Sequence, residues 1–274
     1  MVLRPVAALG RFTLHAGRRL FSLFGGMSLL FAETACCLTR GLLSRRQRIR
    51  RGALTAQMVR VGVKAVPIVV LAQLAIGMIL TLQMFRKLDE FGQPEQLATI
   101  NAIASFRELG PFLTALVLCG FAGASIAAEL GTMVTAEEIE ALEASALNPI
   151  RFLVVPRLLA TVIMMIMLTV IADVVMIASG MATAVKLGID SEVYYQLTLT
   201  AVDITSFATG LIKAGVFGLL IGLIACLLGL SVKPWQGSEG VGRATTNTVV
   251  YGIVAIIVAD AVFTLIFYSY RLFD

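Results

Sequence analysis

The sequence predicts an all-α integral membrane protein, and three observations carry that prediction. The 274 residues are 58% hydrophobic and 14% charged, with a mean hydropathy of +0.92. A soluble domain of this size could not hide so much apolar surface. Five apolar segments are each long enough to cross a bilayer, which takes about 20 helical residues. The lysines and arginines are also unevenly placed, sixteen on one side of those segments and four on the other. Lipid offers no partner for a free backbone amide, so each span must be helical.

In chain order, residues 1–64 read as an interfacial and basic region and 65–274 as a five-helix unit. The uncharged run Leu20–Ala32 has 13 residues, too few to cross comfortably. Arg11, His15, Arg18 and Arg19 share one helical face, with Leu9, Phe12, Leu20, Leu23 and Phe24 on the other. That is the pattern of a helix lying in the membrane plane. Arg45, Arg46, Arg48, Arg50 and Arg51 follow, and such a cluster sets topology against anionic headgroups more readily than it binds nucleic acid. The first span, Ala65–Phe85, carries no charge. The second, Ile103–Met133, contains the uncharged run Gly110–Ala128. The third is Leu158–Val185, interrupted by Asp173. The fourth is Ile204–Val232 with Lys213, and the fifth Ala244–Tyr270 with Asp260. The positive-inside rule puts the N-terminus in the cytosol and the C-terminus outside. No cleavable signal peptide is evident, because the first apolar stretch follows scattered arginines.

Between the second and third spans lies TMVTAEEIEALEASALNPIRFLVVPR, residues 132–157. This connector is too polar for lipid and is punctuated like a helix. Thr135 and Glu138 have the spacing of a capping box. Glu137 and Glu138 sit where the positive end of the helix dipole favours them. Asn148-Pro149 predicts the stop, since proline pushes the preceding residue out of the helical region. Ile139, Leu142 and Ala146 form a narrow apolar stripe, with Glu137, Glu140 and Glu143 elsewhere around the helix. The segment reads either as a solvated loop helix or as a handle for a cytosolic partner.

The residue inventory excludes most chemistry. No GxxxxGK[ST] phosphate loop is present, so the chain does not hydrolyse ATP in that manner itself. His15 is the only histidine, and Cys36, Cys37, Cys119 and Cys226 show no CxxC spacing. Neither an enzyme, nor a metal, nor a cofactor is expected. Arg107-Glu108-Leu109-Gly110-Pro111 opens the second span, where the charges could be merely interfacial or could border a cavity for something amphipathic. Gly110-Pro111 would permit a bend there. Leu80, Phe85, Leu88 and Phe91 could line an apolar cavity or simply pack. Asp173, Lys213 and Asp260 are costly inside spans unless paired, and read as ties between helices or, less simply, as a proton relay. Gly120, Gly123, Ala124, Ala127, Ala128 and Gly131 give the second span a face suited to close helix contact.

Several stretches together resemble a known family: RELGPFLTALVLCGFAGASIAAELGTM at 107–133, ALNPIRFLVVPR at 146–157, GID at 188–190 and GVGRATTNTVV at 240–250. They are similar to the MlaE/YrbE permeases, membrane subunits of MCE-associated ABC transporters that move phospholipid across the bacterial envelope. The resemblance covers about residues 5 to 272. It implies an ABCG-exporter-like fold, with an N-terminal interfacial helix, five spans and a cytosolic coupling helix, assembled as a homodimer. Two ABC ATPase subunits would dock on the coupling helix, at Glu137, Glu138, Glu140, Leu142 and Glu143. A hexamer of MCE-domain proteins would sit on the periplasmic side, with a STAS-domain protein often on the ATPase. Matching pocket positions implies phospholipid contacts at Leu80, Phe85, Leu88, Phe91, Arg107, Glu108 and Leu109. The implied location is the bacterial inner membrane. One departure stands out: Phe121 occupies the place after Gly120 where many members carry arginine. A proton-coupled secondary transporter and a non-transporting scaffold for an MCE assembly are the alternatives; the absence of paired repeats speaks against the first.

Overall fold

A computed structural model describes residues 25–39 and 51–269. The amphipathic pattern over residues 9–24 and the arginines at 45–50 lie outside the described residues. Helix α1 (Gly25–Thr39) is apolar but short for a span. It packs beneath the bundle, with Leu30 buried in the main core and Gly26 against the Leu227 side chain.

Five helical stretches are long and apolar enough to cross a membrane: Gly52–Glu90, Gln96–Thr135, Ile150–Lys186, Ile204–Leu230 and Pro234–Ser269. The five expected spans are therefore present, and four are longer than the ranges read from the sequence. The first consists of α2 (Arg51–Val61), a short turn at Val63–Ala65 and α3 (Val66–Glu90). Pro67 lies in the first turn of α3 and cannot donate to the carbonyl four residues back, so the ladder breaks before it. The second consists of α4 (Gln96–Ala104), α5 (Gly110–Leu118) and α6 (Ala124–Thr135). A short α7 (Glu138–Ala144) follows. The remaining helices are α8 (Val155–Lys186), α9 (Ser191–Ala201), α10 (Ile204–Leu230) and α11 (Gly237–Ser269).

The second and third spans contain wide π turns at Ser105–Leu109, Cys119–Gly123 and Ile150–Val154. Two have a direct cause. Pro111 and Pro156 each follow such a turn, and the extra residue moves the proline ring away from the carbonyl it would otherwise strike. The bend expected from Gly110-Pro111 takes this form.

Helix α8 is the central post, packed by α3, α10, α2 and α5, while α11 packs on α6 and α10. The main core holds Leu118, Ile126, Leu130, Met165, Leu168, Phe217 and Ile221. A second, smaller cluster of Leu97, Ala98, Ala184, Ile189 and Tyr194 sits at the opposite end from α7. Small residues set the close crossings, as expected for the second span. A methyl group on Gly229 would stand 3.0 Å from the Ala127 carbonyl, and one on Gly77 would stand 2.4 Å from that of Met176. Without a hydrophobic force between helices in lipid, such backbone proximity supplies the packing.

Candidate functional site

The connector 132–157 is organised differently from its sequence reading. Helix α6 runs through Thr135, whose hydroxyl donates back to the Thr132 carbonyl at 3.0 Å, so no capping box forms. Glu137 instead makes the corner in a left-handed conformation (φ 57°), and α7 begins at Glu138 with no side-chain cap. Nor does Asn148-Pro149 end α7. The helix stops at Ala144, and the amides of Ala146 and Leu147 bond the carbonyls of Glu143 and Leu142 at 2.9 and 3.0 Å. That is a Schellman closure with alanine, φ 55°, where glycine is usual. Asn148 serves the next element: its side-chain oxygen accepts from the Arg151 amide at 3.2 Å.

Ile139 and Leu142 point inward against the main core. Glu137, Glu138, Glu140 and Glu143 are exposed. A cleft of about 940 Å³ opens beside α7, between α1 and the turn joining α10 to α11. Ile139, Leu147 and Val232 contribute apolar lining, Glu140 and Glu143 acidic lining, and Cys36 lies on the α1 side. Just above, Glu129 of α6 takes Arg60 of α2 at 2.7 Å and Arg157 of α8 at 3.0 Å. Arg157 is 4% exposed, and its guanidinium also donates to the Leu153 carbonyl at 2.8 Å. The root of α7 is thereby fixed to two other helices. Local spacing gives no sign of this cluster, since the two arginines lie 69 and 28 positions from Glu129 in the chain.

At the far end of the bundle, the Ser105–Leu109 turn carries Arg107, Glu108 and Leu109 together. Arg107 Nε donates to Ser206 of α10 at 2.9 Å. Glu108 accepts from Lys213 at 2.7 Å and from Thr264 of α11 at 3.0 Å. Lys213 also donates to Asp260 at 3.0 Å and to Thr264 at 3.2 Å. Lys213 is fully buried, and two carboxylates and a hydroxyl satisfy its three donors. Lys213 and Asp260 are thus ties between helices, as the sequence suggested, and Asp173 is not in their cluster. Thr264 escaped notice, although its place four residues after Asp260 puts it on the same helical face.

The remaining expected pocket residues scatter. Leu80 is half-buried on α3, whereas Phe85 and Leu88 pack on the small cluster beneath α9. Phe91 stands 80% exposed in the turn after α3. A neighbouring network locks that end: Asn101 Nδ2 donates to Thr81 at 2.8 Å and to the Tyr194 hydroxyl at 3.2 Å. Burial raises the Tyr194 phenol pKa, and the Asn101 hydrogen bond works against that rise. Phe121 lies in the second π turn and is 38% exposed on an apolar surface. Among the described residues, no group of three or more His, Cys, Asp or Glu side chains could hold a metal ion.

A polar, exposed helix pinned at its root and carried between spans two and three suits a membrane subunit driven by something outside the bilayer. Comparison with known proteins decides the family, since the model for the permease MlaE matches residues 54–266. The chain belongs to the MlaE permease family. Among curated relatives, a probable ABC transporter permease protein of Rickettsia felis is 35% identical over 214 residues, covering 78% of this chain and 82% of that protein. The intermembrane phospholipid transport system permease protein MlaE of Haemophilus influenzae is 34% identical over 218 residues, covering 79% and 83%. The chloroplastic protein TRIGALACTOSYLDIACYLGLYCEROL 1 of Arabidopsis thaliana is 32% identical over 214 residues, covering 78% and 61%. The MlaE match takes in α3 to α10 and most of α11, including both polar clusters.

Proposed function

We propose that this MlaE-family permease is the transmembrane subunit of an ATP-driven phospholipid transporter, and that a separate chain hydrolyses the nucleotide. The observation that carries the reading is α7: three exposed glutamates on the helix and a fourth, Glu137, at the corner before it, with the helix's apolar side seated in the core and the corner joining it to a membrane span. Force applied to those glutamates reaches α6 through one corner and reaches α2 and α8 through Glu129. Glu137, Glu138, Glu140 and Glu143 form the contact for the ABC ATPase, and Leu142 anchors the helix from behind. The partner surface is correspondingly basic. Transport is vectorial, with the N-terminus and α7 in the cytosol, the C-terminus in the periplasm and the chain in the bacterial inner membrane.

A second copy of the chain completes the apolar chamber. Acyl chains take the surface that includes Leu80, Phe85, Leu88, Phe91 and Leu109, and the headgroup lies near Arg107 and Glu108. An acyl tail needs an apolar container on its way towards water, and its headgroup needs polar company at the rim. An MCE-domain hexamer receives the lipid at the α9 end, and a STAS-domain protein sits on the ATPase. Nucleic acid plays no part.

Glu138→Lys with Glu140→Lys tests the docking: co-purification of the ATPase should be lost while membrane insertion stays normal. Unchanged recovery of the complex would reject α7 as the contact. Leu80→Glu should reduce photo-crosslinking to phospholipid, and undiminished crosslinking would remove Leu80 from the pocket.

A further inference from the structure

Asp173 lies midway along α8, is 2% exposed, and belongs to neither polar cluster. Its Oδ1 is buried and makes no well-formed hydrogen bond, and the polar group beside it is the Ser105 hydroxyl, which has no other partner among the described residues. The space it fills is specific: a methyl group placed on Gly110 would be 1.7 Å from Asp173 Oδ1, with the Ser105 carbonyl 2.9 Å from the same point. Only glycine at position 110 admits the carboxyl group between α8 and the wide turn. One helical turn further along α5, Gln73 donates to Thr114 at 3.4 Å and its own Oε1 has no donor. The polar groups at this seam are the Ser105 and Thr114 hydroxyls and the Gln73 amide, all of them neutral.

The surrounding elements supply no cation. The stretches 96–104 and 110–118, which form α4 and α5, contain no ionisable side chain, and the buried α3 side chains facing this seam are Val69, Gln73 and Thr81 with Gly77. On the wide turn, Arg107 is bound to Ser206 and Glu108 to Lys213. Lys213 of α10 is already shared with Asp260, and Tyr194 of α9 meets Asn101. Arg60 of α2 and Arg157 of α8 are both engaged with Glu129 at the α7 end. A carboxylate buried in this setting would be an uncompensated charge inside the bilayer, and such a group neutralises instead.

We infer that Asp173 is a proton-binding site, held as the neutral carboxylic acid against the Ser105–Gly110 turn. The proton removes the charge that no cation at this seam offsets. It keeps the α8 face of that turn free of charge while Arg107 and Glu108, on its other faces, are tied to α10 and α11. This assignment is independent of any partner or lipid.

Infrared spectroscopy of the full chain in lipid nanodiscs at neutral pH tests it. The wild type minus Asp173→Asn difference spectrum should show a protonated-carboxyl C=O stretch that shifts in D2O. Loss of carboxylate bands instead would overturn the inference. Since the variant could fail to fold, wild-type chain labelled with carboxyl-13C aspartate gives a second reading. An isotopically shifted acid band supports the assignment, and its absence overturns it. An acid band that persists unchanged in a folded Asp173→Asn chain would belong to another aspartate and would equally overturn it.

Discussion

Lys213 shows how one side chain can hold three helices. It is fully enclosed, yet each of its donors has an acceptor, drawn from the wide turn and from α11. Its presence does not mean that the cluster is the most stabilising solution, because buried ion pairs repay their desolvation only with good geometry. Breaking it is a different matter. Lys213→Met leaves Glu108 and Asp260 as neighbouring anions without a cation, and should cost about 3–5 kcal/mol. A marked fall in the thermal midpoint of the purified protein in detergent is expected, and Lys213→Met combined with Glu108→Gln and Asp260→Asn should recover part of it. Gly110→Ala should be at least as damaging as Lys213→Met, because its methyl group would overlap Asp173; wild-type yield and midpoint would show that the carboxyl group moves aside freely. Composition alone marked Asp173, Lys213 and Asp260 as residues that needed a reason. Which of them meet was not legible, since the pairing of residues 108, 213 and 260 is a property of the fold and not of local spacing.

Among the elements, α7 departs furthest from its sequence signals. Its acidity and its apolar stripe were readable, and Ile139 and Leu142 do face the core. Both of its ends were misread because local motifs compete with the geometry of the helices that flank them. Helix α6 is held by Glu129 and by close contact with α10, so it continues through Thr135 and leaves Glu137 to make the corner. At the other end, the Schellman bonds form at Ala146, before Asn148-Pro149 can act. A non-glycine residue in the left-handed region carries a steric cost. Ala146→Gly should therefore stabilise this corner by about 0.5–1 kcal/mol. Slower hydrogen exchange of the Leu147 amide, with no change elsewhere, is the expected readout. The interruptions of the spans were partly legible: Gly110-Pro111 gave a bend, Pro67 and Pro156 mark two more that went unread, and nothing local specified a wide turn rather than a kink.

On the scale of the whole molecule, five apolar stretches and their hydropathy were enough to give the architecture, because the bilayer leaves helices as the only economical choice. The span ends were less legible, since helices run on past the apolar zone wherever neighbours support them, as α11 does from Gly237. The four cysteines offer a test of orientation. Cys36 is exposed on the α7 side, whereas Cys119 and Cys226 are buried. A membrane-impermeant maleimide should label the chain in inside-out vesicles and leave it unlabelled in intact spheroplasts; the reverse pattern would turn the molecule over in the membrane. The wide turn at Ser105–Leu109 has a further consequence. One surplus residue in a helix is a dislocation, and dislocations travel: passing it one step along the span shifts the backbone behind it by about 1.5 Å and rotates it by about 100°. Pro111 forbids that step here, because its ring would meet the carbonyl the surplus residue now clears, so the segment bearing Arg107 and Glu108 keeps one fixed bearing towards α10 and α11.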